Sequence, residues 1–272
     1  MSIKSANLSE RDLAELNISE EQALSNIRYA CEHYKTDLKA LPRHDALASI
    51  ICPGASLKKT WPLIEGDIFA LNNAHDFLIG IGIIPDYAVV CDGQPGVSQF
   101  YQNPHKDVTY LIASQCDPSV FQALEGYNVV LWHSAGVDGM EDIIGEERLS
   151  STGIGALGCG LYLGIRAQSL VYMRGYRRTE YHGFDSCILD SKHHVAPQRL
   201  NANDEEELEI VDIEGKRFLT SGWMRDQSDQ FMQFRYNFFQ DCDIRVHGDG
   251  LIAERLRFTE EGLRNAAARR LS

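Results

Sequence analysis

From residue 46 onward, short apolar runs recur along the chain. Between them lie longer stretches in which apolar positions fall three and four apart. The runs are ALASIIC (46–52), DIFAL (67–71), DYAVVC (86–91), VTYLIA (108–113) and NVVLW (128–132), followed by TEYHG (179–183) and DIRVH (243–247). The first five start roughly twenty residues apart, the rhythm of β-α-β units that build a parallel sheet. Nearly continuous apolar strands need helices on both faces. The pattern therefore predicts an α/β protein with a Rossmann-like, doubly wound, mostly parallel sheet. Upstream, Ser19-x-x-Gln22 reads as a capping box, and Ala23, Ile27, Ala30 and Tyr34 follow at helical spacing. Residues 8–41 are accordingly expected to be helical, and LPRHD (41–45) marks the change of pattern. Downstream, NANDEEELE (201–209) reads as a solvated loop or the start of a small hairpin, with VDIEGKRFLT turning at Glu214-Gly215. Helices are expected over Ser221–Phe239 and after Glu254. The expected division is a helical N-terminal extension (1–45), a Rossmann-like domain (46–252) and a C-terminal helix (253–272).

The chain has 272 residues, 44% of them hydrophobic. That supports a sizeable core in one large α/β domain or one domain with appendages. No stretch approaches the ~20 apolar residues of a membrane span. The opening MSIKSANLSERDLAEL lacks the apolar core of a signal peptide, so a cytoplasmic protein is expected. Seven cysteines (31, 52, 91, 116, 159, 187 and 242) include no C-x-x-C pair. Such spacing suits reduced, buried thiols better than disulfides or a structural zinc site. The net charge of −13, from 26 Lys+Arg against 39 Asp+Glu, argues against nucleic-acid binding. It still allows a small phosphorylated ligand in a local pocket.

In open parallel sheets, ligands bind outside the carboxyl ends of the strands. Three successive strand ends here carry small or polar groups. CPGASLKK (52–59) joins a strand to a helix; Gly54 would let backbone approach a ligand, and Ser56 could cap the helix beside a phosphate. An ordinary strand-to-helix turn uses the same residues. Asn72 and Asn73 follow DIFAL; their amides offer donor and acceptor to a base edge or ribose hydroxyl, or cap the next helix. Asp92 could hold a divalent metal against a diphosphate, bind a sugar hydroxyl, or close an Asx-turn through Gly93.

TGIGALGCGLYLG (152–164) contains a literal G-x-G-x-x-G, yet no strand immediately precedes it and no acidic residue closes a following strand at the expected distance. A glycine-rich loop there, including Gly158 and Gly160, could turn backbone N–H groups toward an anion, or serve close helix–strand packing. HGFDSCILDSKHHVAPQ (182–198) brings Asp185, Asp190, His193, His194 and Gln198 into one segment. Histidine suits general acid–base work, adjacent histidines more often diverge than share a metal, and a polar surface loop is the competing reading. VHGDG (246–250) places His247 and Asp249 at a late strand end, as a contribution from the other side or as a turn.

Taken in order, CPGASL, IFALNNAHDFLIGIGIIPDYAVVCD, GCGLYLGIRA and GFDSCILDSKHHV resemble the 6-hydroxymethylpterin diphosphokinase-like domain family. That family also takes in motility accessory factors linked to flagellin glycosylation. WMRDQSDQF…VHGDGLI is similar to its shorter, stand-alone bacterial and phage members. The resemblance spans about residues 46–252, and GI-x-PDY-x-x-x-x-D is its most specific part. It implies a Rossmann-like nucleotide-binding transferase domain, distantly similar to bacterial sialyltransferases and to thiamin pyrophosphokinase. It also implies a nucleotide or diphosphate near Gly54, Ser56, Asn72 and Asp92; Asn73, Gly158, Gly160 and Asp185 are expected to share that nucleotide site. His194, or its neighbour His193, becomes the candidate base or phosphate contact, with Asp92 orienting the donor.

Two departures shape the expectation. CDGQPG offers no second carboxylate beside Asp92, and CPGASL replaces the family's usual Gly-Pro-Ser-Leu. The favoured expectation is a glycosyltransferase-like enzyme using a CMP- or other nucleotide-sugar and a small-molecule or glycan acceptor. The alternatives are an ATP-dependent diphosphokinase acting on a hydroxymethylpterin-like acceptor, with Mg²⁺ on Asp92, and a non-catalytic binding or assembly protein. Neither nucleic acid nor a membrane span is expected, and a homo-oligomer is compatible with the sequence.

Overall fold

The structure, a computed structural model, describes residues 18–134, 136–151, 162–196 and 207–271. Its first helix, α1 (Glu20–His33), starts where the Ser19 hydroxyl accepts the Gln22 N–H at 3.2 Å. Gln22 does not reach back to complete the box; its side chain donates forward to Asn26 Oδ1. The helix ends well before residue 41. Tyr34 is extended, and Thr36 to Leu38 run along the edge strand instead, with Leu38 N–H donating to the Leu131 carbonyl and Leu131 N–H to that of Thr36. An exposed strand edge offers a row of unpaired backbone groups, and pairing with it outweighs local helical spacing. The part of the expected helix before residue 18 lies outside the described residues.

Seven parallel strands form the main sheet: β1 (Leu47–Ile51), β2 (Asp67–Leu71), β3 (Tyr87–Val90), β4 (Thr109–Ala113), β5 (Asn128–Trp132), β6 (Arg178–His182) and, after the hairpin described below, β9 (Asp243–Val246). Their order is β5-β4-β3-β2-β1-β6-β9. The chain starts in the middle, builds outward to β5, then returns to lay β6 on the other side of β1. This reversal puts the topological switch point between β1 and β6, where crevices open at the carboxyl ends. Register there is continuous, from Leu47 opposite Arg178 to Ile51 opposite His182.

Helices cover both faces, as doubly wound strands require. Alternation along β1 sends Ala48 and Ile50 to one face, where Ile165 and Leu170 of α7 (Leu163–Met173) join the same core. It sends Ile51 to the other, against Leu57 of a short α2 (Leu57–Thr60) and Ala74 and Leu78 of α3 (Ala74–Gly80). Beyond β4 and β5 lie α4 (Pro118–Ala123), α5 (Met140–Ile144) and α6 (Glu146–Ser151). The expected hairpin is present as antiparallel β7 (Leu208–Ile213) and β8 (Lys216–Ser221). Glu214 and Gly215 both take positive φ (50° and 85°), the requirement of a two-residue hairpin turn. The expected late helices are α8 (Gly222–Asn237) and α9 (Leu251–Leu271).

Candidate functional site

At the switch point the backbone closes on itself. Gly54 N–H donates to the Gly183 carbonyl at 2.9 Å, and the Ser56 N–H donates to Asp185 Oδ2 at 2.9 Å. A Cβ on Gly54 would stand 2.3 Å from the Gly183 oxygen and 2.5 Å from Asp185 Oδ2. Glycine is thus demanded here by the protein's own packing. The two N–H groups best placed to hold a phosphate are already occupied, and one of them holds a carboxylate. Ser56 does not cap α2 through its side chain. Burial pushes the Asp185 carboxyl above the usual range, with Ser56 offsetting part of that rise. The Leu251 N–H donates to the Asp185 carbonyl, so α9 is also tied to this corner.

Around that corner, buried acceptors go unmet. Among the described residues, Asp185 Oδ1, Asn72 Oδ1 and Asn73 Oδ1 are buried without a hydrogen-bond partner. Asn73 precedes α3 but makes no side-chain cap, and Asn72 sits at φ 49°. These residues follow β2 and β6, which flank β1, and the end of β1 between them carries the Ser56 hydroxyl, also buried without a partner among the described residues. Buried polar groups are nearly always bonded, so these acceptors at the sheet's carboxyl edge are open to a donor from water or from a ligand.

Asp92 follows β3, two strands from β1 and therefore roughly 10 Å along the same edge. Its Oδ1 accepts the Gln94 N–H at 2.9 Å, closing an Asx-turn. Burial raises its carboxyl, and the Gln94 N–H offsets only part of that. His194 is held beside Gly54 by an antiparallel bridge, with the Val195 N–H donating to the Pro53 carbonyl at 2.7 Å. The His193 and His194 rings lie 6.2 Å apart and tilted, diverging rather than converging on one ion. The structure thus gathers Gly54, Ser56, Asp185 and His194 at the switch point, with Asn72 and Asn73 on the next strand end. Gly158, Gly160 and Gln198 lie outside the described residues.

Two groups escaped the reading by motif. Arg166, on α7, is buried and donates to Cys91 Sγ and Ser134 Oγ, which places a cation at the ends of β3 and β5. A long side chain inside an apolar helix gives no local sign of these contacts. His182, the last residue of β6, is fully buried and stacks on His247 with ring centres 4.5 Å apart. Desolvation pulls its pKa down to about 4, helped by His247, while the nearby Thr60 carbonyl opposes the fall. Glu180 lies beside them, 3.0 Å from His247. These three are a group, among the described residues, able to hold a metal ion. His247 carried a sequence signal as a strand-end residue; Glu180 and His182 read as ordinary strand positions.

A cavity of about 720 Å³ lies elsewhere, between α1 and the α5–α6 region, bordered by Arg28, Lys35, Asp37 and Arg148. Asp37 and Arg148 are ion-paired there, and this cavity flanks β5, at the opposite edge of the sheet from β6 and β9. Size alone does not outweigh the position and unmet groups of the switch-point rim. No helix among the described residues is long and apolar enough to cross a membrane.

Comparison with known proteins agrees with this architecture. The MAf glycosyltransferase from Magnetospirillum magneticum AMB-1 superposes with a TM-score of 0.62 at 16% sequence identity, covering 91% of this chain but 38% of that one. The likeness is one of fold, and the chain spans well under half of that enzyme's length. No curated protein shows significant sequence similarity to the chain. A family model described as 6-hydroxymethylpterin diphosphokinase MptE-like matches residues 21–191, which include β1 to β6, Asp92, Asp185 and the switch point. The resemblance expected from the motifs holds over most of the sheet, and the chain belongs to the 6-hydroxymethylpterin diphosphokinase MptE-like family.

Proposed function

We propose that the protein is a nucleotide-dependent transferase, and that it uses a nucleotide-sugar donor seated along the ends of β2, β1 and β6. The observation that carries this reading is the rim of unmet acceptors, Asn72 Oδ1, Asn73 Oδ1 and Asp185 Oδ1. Acceptors repel phosphate oxygens and attract hydroxyl and amino groups, so they suit the sugar and base of a donor rather than its diphosphate. In this reading Asp185 accepts from a hydroxyl, and Asn72 and Asn73 meet the base or ribose. Asp92 orients the donor through one of its hydroxyls, and the phosphates lie toward the Arg166 cation. Gly54 and Ser56 shape the turn more than they bind phosphate. His194, beside Gly54, takes the acceptor's proton, a role typically worth about 10²–10⁴ in rate.

The family's description favours a second reading, transfer of diphosphate from ATP to a hydroxymethyl acceptor, with Mg²⁺ on Asp92. The Asp92–Gly96 turn holds one carboxylate, the fewest on which a magnesium ion bridging a transferred diphosphate typically rests beside the phosphates themselves. Calorimetric titration with CMP and with ATP, each with and without Mg²⁺, separates the two. Metal-independent CMP binding that weakens in Asp185→Asn is the expected result. Binding of Mg·ATP alone would replace it with the diphosphokinase, and binding of neither nucleotide would point to a non-catalytic member of the family.

A further inference from the structure

The alternation of β6 sends Glu180 and His182 to one face of the sheet, the face covered by α2. Register with β9 pairs Glu180 with Arg245 and Tyr181 with Val246, which carries His247 up beside His182. One ligand atom from each of Glu180, His182 and His247 lies within 4.8 Å of the other two. His182 is 0% exposed, and although the Thr60 carbonyl lies near its ring, neither ring nitrogen makes a well-formed hydrogen bond among the described residues. Buried imidazole nitrogens without partners are costly and rare, and the adjacent carboxylate and second imidazole supply a reason for them.

We propose that Glu180, His182 and His247 form a binding site for one divalent transition-metal ion of the zinc class. Two imidazole nitrogens and a carboxylate suit Zn²⁺ and its neighbours, whereas Mg²⁺ takes oxygen ligands. Ligand bonds of about 2.0–2.2 Å place tetrahedral ligand atoms roughly 3.3 Å apart, so the observed cluster needs only a modest contraction. The site is closed from inside by His182 and open outward, since the side chains of Glu180 and His247 keep 14% and 27% of their exposure. That leaves a coordination position for water or a substrate oxygen. Arg245 is the competing cation, 3.7 Å from Glu180 Oε1, but its side chain is 63% exposed and also leans on Asp243. It can swing clear. The ion pins the edge strand β9 to β6 next to Gly183 and the switch point. This site is separate from the nucleotide-sugar site and from any magnesium on Asp92.

Equilibrium dialysis of the chelator-stripped full chain against Zn²⁺, with Co²⁺ absorption as a spectroscopic substitute, tests it. One equivalent of Zn²⁺ is expected, with an oxygen- and nitrogen-ligated cobalt spectrum. His247→Gln and Glu180→Gln should each weaken binding at least about tenfold, the lower range seen when even the groups behind a metal ligand are disturbed. His105→Gln, at another partly exposed histidine, should leave binding unchanged. Circular dichroism melts establish that each variant is folded, and the wild-type stoichiometry decides the matter even if one is not. The proposal falls if the wild-type chain takes up no stoichiometric Zn²⁺ or if both ligand variants bind as the wild type does. Thiolate charge-transfer bands in the cobalt spectrum, which would move the ion to a cysteine, would also overturn it.

Discussion

At the ends of β1 and β6 the backbone approaches itself so closely that Gly54, Gly183 and Gly250 leave no room for a side chain, yet Asp185 Oδ1 goes unpaired. At the ends of β4 and β5 several buried polar side chains bond one another, although Gln115 Oε1 has no hydrogen-bond partner among the described residues. His133 Nδ1 lies 3.0 Å from Ser114 Oγ, Arg166 donates to Ser134, and Arg148 donates to both oxygens of Asp37. One end of the crevice is rigid in its backbone and unmet in its side chains. The other holds most of its polar groups against one another. A satisfied network stabilises a particular arrangement, whereas unmet groups on a rigid frame are poised for something from outside. The close-packed backbone and the larger set of unmet acceptors are why we propose the ligand at the switch point rather than on the β5 side.

The largest expected effect breaks the rigid side. Gly183 has φ +68°, and a Cβ there would lie 2.2 Å from the Cys52 carbonyl. Gly183→Ala should therefore lose about 3 kcal/mol or more in a urea titration, by overpacking and backbone strain together. Gly82→Ala, with φ +83° but open space around it, should lose only about 1 kcal/mol. Equal losses would remove the argument that close approach, rather than φ, demands glycine at the switch point.

Next comes the bonded side. Asp37 is 8% exposed; burial alone would raise its carboxyl, but His133 and Arg148 outweigh burial and hold it below the usual range. Arg148→Met leaves that charge with His133 and should destabilise the fold by about 2 kcal/mol, less than a wholly buried pair because Arg148 is partly exposed. The native carboxyl binds its proton less readily than the unfolded one. Its stabilisation is therefore present above the unfolded value of about 3.9 and lost as pH falls through the lower native value. Thermal melts across that acidic window should show a shallower loss in Arg148→Met than in the wild type.

Asp185→Asn should act in the opposite sense. The amide oxygen can still accept the Ser56 N–H, and a buried charge disfavoured by desolvation is gone, so stability should change by under about 1 kcal/mol. Nucleotide affinity, read by calorimetry, should nonetheless fall at least about tenfold, roughly the worth of one charged hydrogen bond. A large stability loss with unchanged affinity would make the switch point a structural clamp. The smallest effect is expected at Asn72, whose φ of 49° suits glycine better than any side chain. Asn72→Gly should leave stability within about 1 kcal/mol of the wild type while weakening binding.

Much of this frame was legible locally. The apolar runs marked the strands of the main sheet, because strands buried on both faces need side chains of that kind wherever they fall. The hairpin at Glu214-Gly215 was legible because its turn demands positive φ at both positions. The helix expected through residue 41 was misjudged in its end, because residues 36–38 find their partner in Leu131, nearly a hundred positions away. The Gly54–Ser56 turn looked like a phosphate cradle until Asp185 was seen to fill it.

The sequence by itself determined the alternation of strand and helix, the buried faces, and which polar residues stand at strand ends. These follow from spacing and from the cost of leaving apolar groups in water. Only the tertiary structure decided which strand ends are neighbours, that Asp185 occupies the Ser56 N–H, that Arg166 reaches Cys91, and that Glu180 and His182 meet His247. Those encounters depend on sheet order and register between segments up to 129 residues apart. No local pattern of hydrophobic and polar positions encodes them.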